Sequence, residues 1–573
     1  MSADASADAS ADVVVRGGTV VDGTGAAPRT ADVHVAGGRI VAVGRVDAPA
    51  GARVIDADGA LVLPGWVDIH AHYDGQATWD ATLAPSSWQG VTTVVMSNCG
   101  VGFAPVHPEH HGRLVELMEG VEDIPGTALH EGLPWTWESF AEYLDALDFP
   151  HDIDLAAQAP HSAIRLFAMG ERGSVHTEEP TAAEVGAMAA LVRDAIAAGA
   201  LGFSTSRTRN HRASTGEYIP SLTATPAELI GIAEGVGAAG AGVLQVVSDF
   251  FDAPSEFDLL EAMARAAGRP LSFSLAQNSI QPDTWRELLR RTEAANAAGL
   301  TVRAQVATRA IGLVLGFECT LNPFSLNPEY RRLAAKLPFA ERIAALADPA
   351  VRERILAVHE PAKGRSFTRF DLIYRFDAVP DYEPGPADSV AAMAAAAGVD
   401  PAAWCYDHLL AAGGRTMLYH PSLNWAGGDL DAVGEMLSHP YTVPGLGDGG
   451  AHVGTICDGS FPTFLLTHWV RDRTHGRLEL ADVVRRQCRE TARTVGLTDR
   501  GALLPGLRAD VNVVDLDALT IHRPEFAYDL PAGGKRLLQK ATGYRHTFVA
   551  GVETYRDGEH TGALAGRLVR GGH

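Results

Sequence analysis

The alternation of hydrophobic and polar residues changes character at Gly65. Residues 13–63 alternate apolar and polar positions in short runs that break at paired glycines, in VVVRGGTVVDG, ADVHVAGGRIVAVG and ARVIDADGALVLP. This two-residue period predicts the short strands of a small antiparallel sheet. From Gly65 onward, short apolar runs alternate with alanine-rich segments whose apolar residues recur at three and four positions. That succession of strands and helices predicts a parallel sheet.

Eight apolar runs are predicted to be the strands of one parallel barrel. They span residues 66–70, 92–98, 154–158, 202–206, 242–247, 271–275, 301–305 and 442–447. Amphipathic helices are predicted between them, for example over 180–199 and 283–299, each with a glycine at its end. The predicted fold class is therefore α/β, a (β/α)8 TIM-like barrel. Functional side chains are expected at the carboxyl ends of its strands.

Two further features complete the predicted domain organisation. The interval between the seventh and eighth strands is longer than a barrel connection needs, so residues 310–435 are predicted to form a largely helical insertion in a barrel of residues 64–480. Strand patterns return near the C-terminus, and we expect residues 13–63 and 481–573 to form one small β-sandwich domain. Residues 1–12 lack a basic start and an apolar stretch, and are interpreted as a disordered leader rather than a signal peptide.

Composition and charge exclude several classes of partner. The chain has 573 residues, of which 46% are hydrophobic and 20% charged, which suits a large core. Its formal net charge of −23 repels phosphate backbones and anionic lipid surfaces, so neither nucleic acid nor a membrane is expected as a partner. The sequence contains no run of about 18 apolar residues, the length that a helix needs to span a bilayer. The five cysteines are scattered, which argues against a disulfide framework and favours a cytoplasmic location.

The segment GWVDIHAHYD carries the strongest chemical signal. His70 and His72 are two residues apart, so on a strand both side chains point to the same side. At the carboxyl end of a barrel strand both imidazoles face the mouth, where two nitrogens can bind one divalent metal ion. The alternative is a pair of histidines on a half-exposed strand without any ligand. Their place at the end of a buried strand, with Asp74 following, favours the metal site.

Two other strand ends offer metal ligands. Asp448 follows the proposed eighth strand in PGLGDGGAH, where a carboxylate can both bind metal and accept a proton. An ordinary Asp-Gly turn is the alternative. Cys99 ends the second strand in SNCG and can bind zinc as a thiolate. The alternative is a buried, inert cysteine, which is the most frequent state of a free cysteine.

Polar residues near the remaining strand ends are candidates for substrate contacts. They are His161, Arg207, His211, Gln245, Gln277 and His452. An arginine in the segment SRTRNHR could bind a carboxylate at two points. Solvent-exposed loop charge is the alternative for at least two of the arginines 207, 209 and 212. The sequence contains neither a phosphate-binding loop nor a dinucleotide-binding fingerprint.

Several segments together resemble the D-aminoacylase (N-acyl-D-amino-acid deacylase) family of the amidohydrolase superfamily. They include GGTVVDGTG, LVLPGWVDIHAHYDGQATWD, GVTTVVMSNCGVGFAP, GLGDGGAH and RETARTVGLTDRGALLPGLRADVNVVDLDAL. The resemblance implies a barrel with a β-domain built from both chain ends, and hydrolysis of an amide by a metal-activated water. By the family's motif positions, His70, His72 and Cys99 would bind metal, and Asp448 would be the general base beside it.

The sequence also departs from that family pattern. The family has a metal-binding histidine at the end of the fifth strand and another at the end of the sixth, where this chain has Val247 and Leu275. Gln277 replaces the family's basic residue that contacts the substrate carboxylate, and no lysine near the fourth strand could form a carbamylated metal bridge. We therefore expect one metal ion per chain, Zn²⁺ first among the divalent metals.

These observations predict a metal-dependent amidohydrolase that cleaves the C–N bond of an N-acyl or cyclic amide. The expected partner is a small-molecule amide substrate, and a homo-oligomeric assembly is left open. Three alternative functions also stay open. They are an N-acyl-D-amino-acid deacylase proper, another barrel hydrolase such as a deaminase or lactonase, and a metal-depleted relative that only binds a ligand.

Overall fold

The N-terminal residues form strands, as their two-residue period predicts. The computed structural model describes residues 12–358 and 365–571, so the predicted leader lies outside the described residues apart from Asp12. The first strands are β1 (Val13–Arg16), β2 (Thr19–Val20), β3 (Arg29–Thr30), β4 (Asp32–Ala36), β5 (Arg39–Gly44), β6 (Arg53–Asp56) and β7 (Leu61–Pro64). Four of them form a sheet in the order β5-β4-β1-β6, which is mixed rather than antiparallel as predicted, because β1 pairs antiparallel with β4 but parallel with β6.

Parallel strands follow at the positions predicted for the barrel. They are β8 (Trp66–Asp68), β9 (Val91–Met96), β10 (Asp154–Ala157), β11 (Ala159–Pro160), β12 (Gly202–Arg207), β13 (Val243–Ser248), β14 (Leu271–Leu275) and β15 (Val302–Val306). Strands β8 to β10 form one parallel sheet, and β11 to β15 belong to another. Most of their residues are buried on both faces, as expected for a parallel sheet that is covered by helices.

Helices connect these strands. They are α1 (His111–Glu122), α2 (Gly126–Gly132), α3 (Phe140–Ala146), α4 (His161–Met169), α5 (Ala182–Ala198), α6 (Pro226–Ala239), α7 (Ala253–Ala267) and α8 (Thr284–Ala297). Helix α5 begins with a capping box in which Thr181 and Glu184 satisfy each other's backbone N–H groups, and its C-cap is Gly199. Helices α5 and α8 lie where the three-and-four periodicity predicts them.

The long insertion before the eighth strand contains helices and also a small sheet. Its strands β16 (Ile311–Leu315), β17 (Tyr374–Arg375) and β18 (Leu418–Leu423) pair antiparallel in the order β16-β18-β17. Its helices are α9 (Pro328–Ala334), α10 (Phe339–Leu346), α11 (Pro349–Ala357), α12 (Val390–Ala397), α13 (Pro401–Gly414) and α14 (Asp431–Ser438). The prediction of a largely helical insertion missed the sheet because its strands are short and far apart in sequence.

The eighth predicted strand, β19 (Thr442–Pro444), pairs in parallel with β15. Between β19 and β8, the described residues form a single parallel bridge that joins Ala71 to Gly449. Asp448 N also donates to His70 O at 2.9 Å. All eight predicted strands are therefore present within a mixed α/β fold, but they lie in two sheets, and closure into one continuous barrel stays a prediction.

The C-terminal residues return to the N-terminal strands. Helices α15 (Phe461–Phe464), α16 (Leu480–Arg485) and α17 (Thr491–Thr494) flank two π-helical segments, Leu465–Asp472 and Arg486–Glu490. The remaining strands are β20 (Val511–Val514), β21 (Thr520–Ile521), β22 (Glu525–Leu530), β23 (Gly534–Leu538), β24 (Ala541–Thr542), β25 (Tyr544–Val549), β26 (Val552–Arg556) and β27 (Glu559–His560). Short 3-10 helices occupy Gln76–Thr78, Ser86–Gln89, Pro108–His110, Gly170–Ser174, Ser366–Thr368, Phe370–Leu372, Pro386–Asp388 and Pro531–Gly533.

Strands from both chain ends share one sheet. Strand β20 pairs antiparallel with β7 within a seven-stranded sheet of order β27-β26-β25-β20-β7-β2-β3. Apolar residues from both ends, including Val15, Val33, Val62, Val513 and Phe548, form one buried cluster beside it. The β-sandwich arrangement and the domain boundaries stay predictions. Within the described ranges, no helix is both long and apolar enough to cross a membrane.

Candidate metal centre

His70 and His72 lie just beyond β8 rather than on it. Backbone pairing nevertheless continues past the end of the strand, because Ala71 N donates to Val95 O at 3.0 Å and His72 N donates to Gly449 O at 2.8 Å. Both imidazoles are buried, and their ring centroids lie 5.5 Å apart. The extended backbone therefore brings the two rings together, as the HxH spacing predicts.

Four of the predicted residues converge on one point. The ligand atoms of His70, His72 and Cys99 all lie within 4.8 Å of one another. His70 Nε2 is 3.2 Å from Cys99 Sγ and 3.4 Å from Asp448 Oδ1. His72 Nε2 is 3.7 Å from the same carboxylate oxygen. A tetrahedral zinc ion with bonds of about 2.0–2.3 Å holds its ligand atoms about 3.3–3.7 Å apart, so the spacing suits such an ion.

A buried polar atom without a partner supports the same conclusion. Asp448 Oδ1, which lies 3.4 Å from His70 Nε2 and 3.7 Å from His72 Nε2, has no hydrogen-bond partner among the described residues. A buried polar atom left unpaired costs about 1–3 kcal/mol, so such a group is expected to have a ligand in the functional protein. Imidazole nitrogen, thiolate sulfur and carboxylate oxygen are the donors that zinc prefers. The residues present therefore fit a divalent metal ion.

Gln305 orients His70, and sequence reasoning missed it. Its Oε1 atom lies 3.0 Å from His70 Nδ1, while its Nε2 atom donates to Ser272 Oγ at 2.9 Å. Because the amide oxygen of Gln305 faces the ring, Nδ1 of His70 is the protonated nitrogen, and Nε2 of His70 keeps its lone pair toward Cys99. Strand β15 has two polar residues, Arg303 and Gln305, and the position of Gln305 near the carboxyl end of the strand is the signal that could have found it.

Glu122, the last residue of α1, is a second buried carboxylate at the cluster that sequence reasoning missed. Its Oε1 atom is 3.3 Å from His72 Nδ1, and its Oε2 atom is 3.5 Å from His452 Nε2. It follows Leu114 and Met118 at four-residue spacing and shares their buried face of the helix. An acidic residue on the apolar face of a predicted helix is the signal that could have found it.

The electrostatic environment of the cluster favours positive charge. Burial raises the pKa of the Asp448 carboxyl, but the nearby imidazoles of His72 and His70 outweigh burial and hold that pKa well below its usual range. Burial lowers the pKa of His72, but Glu122, Asp448 and Cys99 outweigh it and raise that pKa well above its ordinary value. Burial lowers the pKa of His70 to about 4. The carboxylates of Glu122 and Asp448 therefore favour a positive charge at His72, and the same carboxylates would favour a bound cation.

Burial governs the thiol of Cys99. It raises the pKa of that thiol to about 12, and the carboxylates of Glu122 and Asp448 also raise it. A coordinating metal ion deprotonates a thiol outright, so the thiol in this environment is neutral unless a cation is bound.

Three predicted substrate-contact residues lie beside the cluster. His452 Nε2 is 3.9 Å from Asp448 Oδ2. Gln245 Oε1 accepts from Cys99 N at 3.2 Å, and its Nε2 atom has no partner among the described residues. Burial and then the charges of His452 and His72 lower the pKa of His211 to about 3.

The other three lie in separate contacts. His161 is bonded to Thr205 and to the buried carboxylate of Glu228, which also pairs with Arg165. Arg207 forms a two-point ion pair with Glu256, both N–O distances being 2.8 Å. Gln277 Oε1 accepts from the backbone of the insertion at residue 426, at 3.1 Å. These side chains are occupied by protein partners, and their predicted substrate roles stay predictions.

A cavity of about 450 Å³ lies at the carboxyl ends of β12 and β13. Its lining includes Arg207, Arg209, Tyr218, Asp249 and Phe251. The four candidate metal ligands are not among the lining residues.

The model of the Amidohydrolase family matches residues 53–555 of the chain. The chain belongs to the amidohydrolase family. The predicted resemblance is therefore confirmed, and the family match indicates a hydrolase that acts on C–N amide bonds.

Curated relatives of this amidohydrolase include deacylases. A D-aminoacylase of Alcaligenes xylosoxydans xylosoxydans is 34% identical over 230 residues, which are 40% of this chain and 43% of that relative. An uncharacterized protein of Mycobacterium tuberculosis (strain ATCC 25618 / H37Rv) is 29% identical over 605 aligned positions, covering 98% of this chain and 96% of that protein. The chain thus spans less than half of the D-aminoacylase and nearly all of the uncharacterized relative.

Solved structures of the family share its fold. A D-aminoacylase whose binuclear metal centre was studied has a TM-score of 0.65 and 25% identity, over 98% of this chain and all of that one. An N-acyl-D-glutamate deacylase from Bordetella bronchiseptica, complexed with zinc and a phosphonate inhibitor, has a TM-score of 0.65 and 24% identity over the same shares. At this identity the second structure supports the fold alone.

Proposed function

We propose that the chain is a metal-dependent hydrolase that cleaves the C–N bond of an N-acyl or cyclic amide. The observation that carries this proposal is the cluster of His70, His72, Cys99 and Asp448, in which three distances between ligand atoms, 3.2, 3.4 and 3.7 Å, are close to those of a tetrahedral metal site. Family membership and the deacylase relatives support amide hydrolysis over other uses of such a site.

One zinc ion per chain is the proposed cofactor. His70, His72, Cys99 and Asp448 would hold it, while Val247 and Leu275 supply no ligand at the two strand ends where the family has histidines. A divalent metal ion bound there supplies Lewis acidity, which activates water and polarises a carbonyl group. Gln305 contributes by fixing His70 with its Nε2 atom toward the cluster.

Asp448 is the proposed general base. Its side chain is 14% exposed, whereas the rings of His70 and His72 are 1% exposed, so substrate can reach this carboxylate most directly. Its low pKa keeps it ionised at neutral pH, as a proton acceptor must be. Asp448 would take a proton from the attacking water and return it to the leaving nitrogen.

A neutral amide is the proposed substrate class. A carboxylate on the substrate needs a cation, but Gln277 is neutral and Arg207 is already paired with Glu256. The second candidate is an N-acyl-D-amino acid, which the relatives' names favour. For that candidate, Arg209 is the cation of the cavity for which no ion pair is recorded among the described residues.

The test combines a substrate panel with Asp448→Asn. Zinc-loaded wild type is assayed on N-acyl-D- and N-acyl-L-amino acids, cyclic imides, lactams, lactones and amino-heterocycles. We expect amide turnover that the Asn variant loses about 10²–10⁴-fold in kcat with little change in KM, because Asn keeps the shape but accepts no proton. Asp388→Asn, at an exposed position of the insertion, is the control and should retain wild-type kcat.

Other outcomes of the panel favour the alternatives. Turnover of lactones or amino-heterocycles without amide turnover would assign a lactonase or deaminase. A protein that retains no metal and stays inert after zinc is added would be a ligand-binding relative. Near wild-type kcat in Asp448→Asn would remove that residue as the base.

A cytoplasmic location and a homo-oligomeric assembly are also proposals. All five cysteines are buried and free, which suits a reducing compartment. Fractionation and light scattering on the native protein would test the two proposals.

A further inference from the structure

We propose that Glu122 is a positioning residue of the metal centre, whose carboxylate holds His72 with its Nε2 atom directed at the metal position. This inference rests on the proposed metal-dependent function and extends it to a residue outside the ligand set. Glu122 ends helix α1, a segment of the chain that is separate from the three strand ends that supply the ligands.

The two nitrogens of His72 face two different carboxylates. Its Nε2 atom lies 3.7 Å from Asp448 Oδ1, on the side of the ligand cluster. Its Nδ1 atom lies 3.3 Å from Glu122 Oε1, on the opposite side of the ring, which is within hydrogen-bond distance although no hydrogen bond is formed. One imidazole binds a given metal ion through a single nitrogen, so the nitrogen that faces Glu122 is the one left to carry a proton. Glu122 therefore acts on the metal position through the ring.

His70 has the same arrangement with a different partner. Its Nδ1 atom faces Gln305 Oε1 at 3.0 Å, and its Nε2 atom faces Cys99 and Asp448. Both histidines of the HxH motif thus have an oxygen at Nδ1 and the ligand cluster at Nε2. A metal-bound histidine commonly donates its other N–H group to a carboxylate or carbonyl, which fixes the ring and raises its basicity. A carboxylate raises the basicity of the ring more than a neutral amide does.

The backbone around Glu122 holds its side chain in place. The next residue, Asp123, adopts a left-handed conformation with φ of 55° and accepts from Thr320 Oγ1, Thr455 Oγ1 and Gly454 N, each at 3.2 Å. Glu122 O accepts from His452 N. These bonds join the end of α1 to the insertion and to the loop that follows Asp448, so the carboxylate is fixed relative to the ligands.

The burial of Glu122 requires a positively charged or donating partner. Its side chain is 1% exposed, and His72 and His452 are the basic groups recorded within 4.0 Å of it among the described residues. The remaining oxygen, Oε2, faces His452 Nε2 at 3.5 Å without a formed hydrogen bond. One carboxylate therefore positions both a ligand and the more exposed His452, whose side chain is 22% exposed.

The test measures metal affinity rather than activity. Zinc affinity of wild type, Glu122→Gln and Glu122→Ala is determined by chelator competition, with the unfolding midpoint of each metal-free protein measured in parallel. We expect zinc Kd to rise about 10–100-fold in the Ala variant and by less in the Gln variant, which retains an acceptor oxygen. Glu116→Gln, a half-buried acid of the same helix that pairs with Arg113, should leave Kd unchanged.

Cobalt substitution and a crystal structure separate positioning from a purely structural role. A changed visible spectrum of the cobalt-loaded Gln variant supports positioning, whereas an unchanged Kd and spectrum with a lowered unfolding midpoint overturns it. If neither variant folds, the zinc-bound wild-type crystal structure decides. A zinc ion on His72 Nε2 with Nδ1 hydrogen-bonded to Glu122 supports the proposal, and a zinc–Glu122 bond of about 2.0–2.2 Å overturns it.

Failure of the proposed function gives a different pattern of results. A wild type that binds zinc but hydrolyses no amide removes that function and leaves the affinity test of Glu122 intact. A wild type that binds no zinc at all overturns both proposals.

Discussion

Two residues of the metal cluster and the neighbouring His452 adopt left-handed backbone conformations that residues other than glycine rarely adopt. Cys99, Asp448 and His452 have φ angles of 56°, 45° and 51°. Each such conformation costs about 1–3 kcal/mol and persists only where the surroundings determine it, which is typical of functional sites. Here Asp448 N is bonded to His70 O, and His452 N is bonded to Glu122 O. Backbone hydrogen bonds at Asp448 and His452 therefore hold two of these left-handed residues in place.

The double variant His70→Ala/His72→Ala is expected to lose metal and keep the fold. It removes two of the proposed ligands, so the purified variant should retain no stoichiometric zinc by elemental analysis. Because both rings are buried, a loss of about 1–3 kcal/mol relative to metal-free wild type is expected in denaturant unfolding. His161→Ala is the control, since it removes a buried histidine of a separate network and should leave metal content intact. Full occupancy in the double variant refutes the assignment, and two zinc ions per wild-type chain refute the single site.

The ion pair between Arg207 and Glu256 predicts a weak preference for substrates that carry a carboxylate. Arg207 already donates two N–H groups to Glu256 and has no second pair of donors for a substrate carboxylate. Arg207→Ala should therefore change KM equally for N-acyl amino acids and for their esters. Arg209, whose guanidinium lies 5.6 Å from the ring centroid of Phe251, is the remaining candidate. We expect N-acyl amino acids and their esters to have similar kcat/KM, because a charge-assisted bond worth about 1.5–3 kcal/mol would separate them by more than about tenfold. A large preference for the free acid that survives Arg207→Ala and Arg209→Ala contradicts this.

At the level of elements, local periodicity predicts much of the fold and little of the packing between distant segments. The apolar runs locate all eight parallel strands, and helical periodicity locates α5 and α8. The sheet of β16, β17 and β18 depends on pairing across more than one hundred residues, which no local pattern reports. Sequence patterns do not identify Glu122 as a site residue for the same reason, since only the tertiary fold brings α1 to His72. The expectation that functional side chains follow the carboxyl ends of parallel strands identifies His70, Cys99 and Asp448, because these ends lie at one edge of a sheet.

The contact between the insertion and the loop after β14 predicts a stability effect at Asn424. Its Oδ1 atom accepts from Gln277 N at 2.7 Å, and its N atom donates to Gln277 O at 2.8 Å. Asn424→Ala leaves a buried N–H group unpaired and places Ala at φ of 63°, so a loss of about 1–3 kcal/mol is expected in denaturant unfolding. Asn424→Asp keeps an acceptor oxygen and should lose less. Equal stability of the two variants would show that the Gln277 contact contributes nothing.

At the scale of the whole molecule, the C-terminal segment returns to the parallel strands. Leu568 forms a parallel bridge with Leu155 of β10, and Gly566 forms an antiparallel bridge with His151. Gly571 N donates to Gly199 O at 2.8 Å, at the end of α5. The closing residues therefore contact the third strand and its helix, as well as completing the sheet shared with the N-terminus. Local sequence patterns do not predict this contact, because its two sides are more than three hundred residues apart in the chain.

Asp154 joins three C-terminal residues to β10. Its carboxylate accepts from Arg500 Nη1 at 2.7 Å, Arg508 Nη2 at 2.8 Å and the backbone N of Arg567 at 3.0 Å. Burial lowers the pKa of Arg500, but Asp154 and its acidic neighbours outweigh it and hold that pKa above its usual range, so the pair is ionic.

Asp154→Ala is therefore expected to destabilise the chain strongly, because it leaves buried guanidinium groups without their shared carboxylate. Removing one partner of a buried ion pair costs about 3–5 kcal/mol, and the lower figure is expected since Arg500 and Arg508 also face Asp499 and Asp510. Urea unfolding of metal-free protein is the measurement. The control is Asp145→Ala, which breaks an exposed pair to Arg570 of the same C-terminal segment and should cost about 0–1 kcal/mol. If both variants unfold at the same urea concentration, burial does not distinguish the two pairs, and the C-terminal segment is held to β10 by its backbone bridges instead.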